Sequence, residues 1–127
     1  YVEVFEEYVD CMKGVEMFSH LLLFYYFHKV TEESLIHQPF LEDTNFGVFA
    51  TRNNKRINKL GISVVRFERL EGNCIHFSEV DILDGTPLLD IKPYVTYFDR
   101  REGMHCGWYE KHFQAGKIPE RTILKGP

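Results

Sequence analysis

The sequence holds no apolar run longer than Leu21–Phe27. A helix that crosses a bilayer needs roughly 20 such residues, so no membrane span is read. No basic stretch followed by a hydrophobic one opens the chain, and no secretory leader is read either. The first residue is Tyr1 rather than Met, so the start is expected to be trimmed. Glycine-rich phosphate cradles are missing: there is no G-x-G-x-x-G and no G-x-x-x-x-G-K-[ST]. The usual dinucleotide and P-loop sites are thereby excluded. There is no G-x-S-x-G elbow to present a nucleophilic serine. Cysteine is scarce, with Cys11, Cys74 and Cys106 widely spaced and no C-x-x-C pair. That pattern suits reduced thiols in a cytosolic protein better than a disulfide framework. Repeats and low-complexity tracts are also absent.

What is present is one domain's worth of chain, 127 residues with 44% hydrophobic and 27% charged side chains. A single core ordinarily serves ~100–200 residues. The apolar content excludes global disorder. A net charge of −4 argues against a general nucleic-acid binder, but the charge is unevenly placed. Tyr1–Thr51 is acidic, with Lys13 and Lys29 its only bases. Arg52–Arg69 carries Arg52, Lys55, Arg56, Lys59, Arg66 and Arg69 against Glu68 alone. A basic segment on an acidic protein suits either a phosphate or carboxylate ligand or a solvated face. Cys74, His76, His105 and Cys106 offer zinc-type donors, without the tight paired spacing of structural sites.

Periodicity points to a mainly β protein. Tyr1–Phe5 reads as the end of a strand. Tyr8, Cys11, Met12 and Val15 fall at helical spacing, so Glu6–Val15 is expected to be a short amphipathic helix. Leu21–Phe27 reads as a strand covered on both faces. Thr31–Asp43 is read as irregular, Asn45–Ala50 as a strand and Thr51–Leu60 as a polar loop. Ile62–Leu70 alternates, and Gly72–Asn73 is a two-residue hairpin turn, so Cys74–Val80 should return antiparallel. Asp84–Gly85 marks a further turn, Leu88–Ile91 a strand, and Glu110–Gln114 a short helix. Short strands with frequent turns and one small helix near the N-terminus predict a small β-barrel or strongly curved sheet.

Three stretches carry a resemblance. The first is Gly14-Val15-Glu16-Met17-Phe18-Ser19-His20-Leu21, running into Phe27-His28. The second is Gly47-Val48-Phe49-Ala50-Thr51-Arg52, followed by Arg56, Asn58 and Gly61–Val65. The third is Asp81-Ile82-Leu83-Asp84-Gly85-Thr86-Pro87-Leu88-Leu89-Asp90-Ile91-Lys92-Pro93-Tyr94. Their order and spacing, over roughly Tyr1 to Trp108, resemble the TrmO family, also called YaeB-like or TsaA-like proteins.

The resemblance implies a small β-barrel that binds S-adenosylmethionine and pairs as a homodimer, with the cofactor near the interface. It implies methylation of N6 of the threonylcarbamoyl-modified adenosine beside the tRNA anticodon, in the cytoplasm. The cofactor contacts it implies are His28, Lys29, Arg52, Ile62, Asp84, Gly85, Thr86 and Pro87. Arg52 suits the cofactor carboxylate as a two-pronged donor, and Asp84 suits ribose hydroxyls. Both also suit ordinary surface roles, a salt bridge and a D-G turn. Lys55, Arg56 and Lys59 are expected to meet tRNA phosphates. The acceptor N6 needs help losing a proton, and Asp90 and Tyr94 are the candidates for that base. Residues 1–127 are read as one such domain, lacking the family's first strand and the extra C-terminal domain of its larger members. Other readings remain open: a different methyl acceptor, or a non-catalytic module that binds the cofactor or a metal.

One departure stands out. The family's loop reads Ala-Thr-Arg-Ser-Pro-x-Arg-Pro-Asn-Pro-Ile-Gly, and here Asn54, Ile57 and Lys59 replace its prolines. Prolines hold a loop in shape before ligand arrives, so this loop is expected to be looser or differently shaped.

Overall fold

The computed structural model describes residues 1–114. Among them, five strands form one antiparallel sheet: β1 (Val2–Glu3), β2 (His20–Tyr26), β5 (Leu60–Glu71), β6 (Cys74–Ser78) and β7 (Leu88–Pro93). Their order across the sheet is β1-β6-β5-β2-β7. Strands β3 (Ile36–His37) and β4 (Phe46–Gly47) form a separate two-stranded ladder. Two short helices follow the sheet, α1 (Thr96–Asp99) and α2 (Glu110–Gln114). The class is mainly β, and the large sheet curls into a half-barrel.

Strand β2 sits at the centre, paired with β5 on one side and β7 on the other. Its alternate residues Leu21, Leu23 and Tyr25 are fully buried. With Val65, Ile75 and Met12 they form the core, edged by Phe18, Phe67, Phe77 and Ile91. Leu22 and Phe24, which face the other way, are only half-buried, and Tyr26 is exposed. The strand is therefore covered on one face rather than two. On the second face Lys92 Nζ lies 5.8 Å from the centre of the Phe24 ring.

The alternation read in Ile62–Leu70 is observed up to Phe67, with Ser63, Val65 and Phe67 turned inward. A register shift between Phe67 and Arg69 then moves the inward phase to Leu70. Such a bulge bends a strand and raises its local twist, which suits a 12-residue strand serving a curled sheet. The hairpin turns at Gly72–Asn73 as expected, with Glu71 opposite Cys74. Gly72 takes φ +58°, a conformation that glycine adopts without steric cost.

Two expectations are corrected. Glu6–Val15 is not an α-helix but a 3₁₀ helix over Glu6–Met12 and a second 3₁₀ turn over Val15–Met17, separated by Gly14 at φ +91°. The more covered residues are Val9, Met12 and Val15, spaced by three, while Tyr8 and Cys11 are exposed. That spacing is the 3₁₀ period. The segment also lacks a side-chain cap at its start. Asn45–Ala50 is a strand only over Phe46–Gly47, and Val48–Ala50 turns as a 3₁₀ helix. All three cysteines are free.

The Tyr25 ring lies directly over Gly61, its partner on β5. A Cβ at position 61 would stand 2.3 Å from Tyr25 Cε2. Gly61→Ala should therefore destabilise the fold by about 1–3 kcal/mol, the usual range for overpacking. Tyr25→Phe should cost about 1 kcal/mol, the worth of a lost hydrogen bond. Urea unfolding of the two variants beside the parent protein checks both values and their order.

Candidate functional site

A cleft of about 560 Å³ opens beside the paired middle of β2 and β5. Its walls include Leu22, Tyr25 and Phe27 from β2 and just beyond it, and Leu60–Val64 from β5. Thr51, Arg52 and Arg56 come from the loop after the Val48–Ala50 turn, while Asp81, Tyr94 and Asp99 come from the segments around β7 and α1. The volume falls in the range of small-molecule sites, which are mostly apolar with a few placed polar groups. Here the polar groups divide by sign, with two guanidinium residues and two carboxylates on the lining.

The core feeds one of those carboxylates. Tyr25 Oη and Ser63 Oγ are hydrogen-bonded at 2.8 Å, and Ser63 Oγ donates to Asp81 Oδ1 at 2.9 Å. A buried tyrosine thus reaches the cleft through a serine on the inner face of β5. At the far side, the Asp99 carboxylate accepts from Val95 N–H at 2.8 Å, closing the short α1 turn.

The loop that carries Arg52 is shaped by hydrogen bonds where the family uses prolines. Thr51 Oγ1 donates to Val48 O at 3.0 Å and accepts from Asn53 N–H at 3.3 Å. Asn53 Oδ1 accepts from Lys55 N–H at 2.7 Å. Arg56 Nη1 donates to Thr51 O at 2.7 Å and Asn53 O at 3.2 Å. These bonds account for Thr51 and Asn53, two polar residues that are buried. Asn53 Nδ2 also lies 3.0 Å from His37 Nε2, tying the loop to β3. Burial, then the Lys55 charge, holds His37 below the ordinary imidazole value, so Nε2 accepts from the Asn53 amide.

The structure sorts the site residues read from the sequence into two groups. Arg52, Ile62, Arg56 and Tyr94 line the cleft. His28, Lys29 and Asp84–Pro87 do not; His28 and Lys29 follow β2, and Pro87 is bonded to the end of that strand. There Tyr26 N–H donates to Pro87 O at 3.1 Å and His28 N–H to Tyr26 O at 2.8 Å. The Asp84–Gly85 turn is closed by Thr86 N–H to Leu83 O at 3.2 Å, with Gly85 at φ +80°. The two groups adjoin through Leu60, which pairs with Tyr26 and lines the cleft. Asp90 lies opposite Phe24 on β7, outside the lining, and its carboxylate accepts from Ile91 N–H at 2.8 Å.

The basic residues of the loop are less free than their sequence suggested. Lys55 pairs with Glu32 at 3.0 Å, exposed on both sides. Lys59 lies 3.9 Å from Glu33, with a side chain only 12% exposed. Arg56 braces the loop as described. The zinc-type donors are not gathered: His76 faces Glu71 at 3.3 Å, and His105 faces Glu110 at 3.7 Å. No group of three His, Cys, Asp or Glu residues suited to a metal occurs among the described residues.

Sequence reasoning missed Asp81 and Asp99 as cleft residues. Asp81 opens the third resembling stretch, so its signal was present; Asp99 had none. The outer face of the sheet adds a further feature. Leu22, Phe24, Tyr26, Leu60, Ile62 and Val64 pair across β2 and β5 and share that face. Tyr26, Leu60, Ile62 and Val64 are exposed there, and Leu22, Leu60, Ile62 and Val64 also line the cleft.

A mainly β half-barrel with an acid-and-base-lined cleft beside two central strands defines a small-ligand-binding β protein, distinct from doubly wound nucleotide folds. The family model described as tRNA-methyltransferase O N-terminal domain matches residues 1–100, and the chain belongs to that family. A probable S-adenosyl-L-methionine-binding protein of Pyrococcus abyssi is 50% identical over 111 residues, covering 87% of this chain and 60% of that protein. The tRNA (adenine(37)-N6)-methyltransferase of Mus musculus is 35% identical over 104 residues, covering 80% of this chain and 24% of that protein. The crystal structure of TrmO from Pseudomonas aeruginosa superposes with a TM-score of 0.68 at 31% identity, over 97% of this chain and 62% of that one. The chain thus spans less than two thirds of the length of each.

Two carboxyl and imidazole groups set the acid response around the loop. His37, depressed from 6.5, contributes stability that is complete above that value and is lost as pH falls through its lower folded value. Glu42 is buried against Lys111 and His112, and chiefly the Lys111 hydrogen bond holds it below 4.5 despite its burial. Its contribution is complete above 4.5 and is lost at lower pH still. Melting scans from about pH 7.5 to about pH 3.5 should show stability falling in two stages. His37→Gln should remove the upper stage, and Glu42→Gln should shrink the lower one, leaving the part due to Glu71, which the Arg69 hydrogen bond also holds below 4.5.

Proposed function

We propose that this chain is the cofactor-binding domain of an S-adenosylmethionine-dependent methyltransferase that modifies N6 of an adenosine in tRNA, namely the threonylcarbamoyladenosine beside the anticodon. The observation that carries this reading is the cleft, in a chain of the TrmO family with relatives named as a probable S-adenosyl-L-methionine-binding protein and a tRNA (adenine(37)-N6)-methyltransferase. The chemistry of the lining fits the cofactor. Arg52 suits its carboxylate, since a guanidinium and a carboxylate form a charge-assisted pair. Asp81 and Asp99 suit its ammonium and ribose hydroxyls. Leu22, Ile62 and Val64 offer apolar area to the adenine. His28, Lys29 and the Asp84–Pro87 turn form the adjoining rim, where a ligand longer than the cleft would extend.

The bound cofactor supplies an electrophilic methyl group on sulfur. The protein's task is then to hold the acceptor nitrogen in line with it and to exclude water. Tyr94 lines the cleft and is the better placed of the two candidate bases. Asp90 stands outside the lining, opposite Phe24. Of the basic residues read as phosphate contacts, Lys55 can reach a phosphate by exchanging an exposed ion pair. Arg56 and Lys59 act within the loop. No helix of the described residues is long and apolar enough to cross a membrane, and a tRNA substrate suits a cytoplasmic site of action.

A homodimer completes this reading. The exposed apolar strip of β2 and β5 borders the cleft, so a second copy seated there would cover both. Large exposed apolar patches on soluble domains commonly mark such contacts.

Titration calorimetry with S-adenosylhomocysteine should show binding, and Arg52→Ala should weaken it by about tenfold or more, as for a lost charge-assisted hydrogen bond. Absence of binding by the parent protein would falsify the cofactor assignment. Nucleoside mass spectrometry of tRNA from cells lacking this protein should show the threonylcarbamoyladenosine without its methyl group; an unchanged profile assigns the methyl group to another acceptor. In sedimentation, Val64→Asp should shift a dimer toward monomer, whereas a parent protein already monomeric rejects the pairing.

A further inference from the structure

The family match ends at residue 100, but the described chain continues and folds back onto the loop that carries Arg52. Three contacts join the two. Trp108 Nε1 donates to Ala50 O at 2.9 Å, two residues before Arg52. The Trp108 ring stacks with Phe46 of β4, at 5.9 Å, and with Tyr109, at 3.8 Å. Glu42, with a side chain only 1% exposed, is gripped by Lys111 Nζ at 2.6 Å and His112 Nε2 at 3.3 Å. Residues Trp108–His112 thus hold the chain that leads into the Arg52 loop at three places: Ala50 just before the loop, Phe46 on β4, and Glu42 ahead of β4. Burial raises the Tyr109 phenol, and the Arg52 charge lowers it in part.

The loop has reason to need such a hold. Between β2 and β5 the chain makes only a two-residue ladder, β3 with β4. Its family prolines are replaced by Asn54, Ile57 and Lys59. A side chain on a long irregular segment must be ordered each time a ligand binds, and that ordering subtracts from affinity. A contact made before binding removes the cost.

We infer that the segment around Trp108 is a clamp, and that Trp108 is a positioning residue that presets Arg52 for the carboxylate end of the ligand. The inference rests on the cofactor reading above. Arg52 touches the ligand, and Trp108 acts through Ala50 and the turn that ends in Thr51.

The test uses the full chain and two nucleosides, S-adenosylhomocysteine and 5′-methylthioadenosine. They share adenosine and sulfur, and only the first carries the carboxylate. Trp108→Phe keeps the stacking and removes the N–H donor. It should weaken S-adenosylhomocysteine about fivefold, the effect of one hydrogen bond, and leave 5′-methylthioadenosine unchanged. On an Arg52→Ala background the same substitution should have no further effect, because neighbours acting through one contact are not additive. Amide exchange at Asn53 and Lys55 in the ligand-free protein should be faster in Trp108→Phe than in the parent. A parent that binds both nucleosides, with Trp108→Phe lowering both alike or acting without Arg52, overturns the positioning role and leaves the cofactor reading standing. Unchanged exchange in the variant likewise overturns the clamp. A parent that binds neither nucleoside overturns the cofactor reading itself.

Discussion

The contact of the Tyr25 ring with the bare backbone of Gly61 governs much of this molecule. It joins the two longest strands that flank the core, and it admits no side chain at position 61. A shift of one residue between β2 and β5 would turn Leu21, Leu23 and Tyr25 outward and expose the core. With the register set, the phenol reaches Ser63, and Ser63 reaches Asp81. One buried aromatic residue therefore specifies strand pairing, carries a polar chain out of the core and forms part of the cleft wall.

The other wall is built by a different kind of force. Thr51, Asn53 and Arg56 place their side chains against backbone atoms of the same loop, and Asn53 reaches His37 on β3. Rigid rings hold the family's version of this loop by limiting the unfolded chain. Hydrogen bonds hold this one through contacts that exist only when it is folded, and the stacked Trp108 presses on it from outside. Such a wall depends on the protonation of neighbouring groups, because His37 must stay neutral to accept from the Asn53 amide.

The outer strip of β2 and β5 connects these local facts to assembly. Alternation along a strand leaves every second residue on one face, and here Ile62 and Val64 are exposed while Leu22 and Phe24 are half-buried. The sequence reading treated Leu21–Phe27 as covered on both sides, which is what an unbroken apolar run suggests. A single chain satisfies half of that pattern. The exposed half lies beside the cleft, so the proposed pairing would bear on the proposed site as well.

Local pattern alone determined the hairpin at Gly72–Asn73, the alternation from Ile62 to Phe67, a strand at Leu88–Ile91 that extends to Pro93, and the short helix at Glu110. Each rests on neighbours within a few residues. Arg52, Ile62 and Tyr94, drawn from the resembling stretches, line one cleft. Only the tertiary structure decided that Asp81 and Asp99 share the cleft while Asp84–Pro87 lies outside its lining. It also decided that Arg56 is a brace, that Glu42 meets Lys111 and His112 across about seventy residues of chain, and that the N-terminal helix winds with a period of three. The reason is physical. Hydrophobic period and turn chemistry act over short spans that a sequence displays directly, whereas the pairing of a buried charge or a loop carbonyl depends on which distant segments packing brings within about 3 Å.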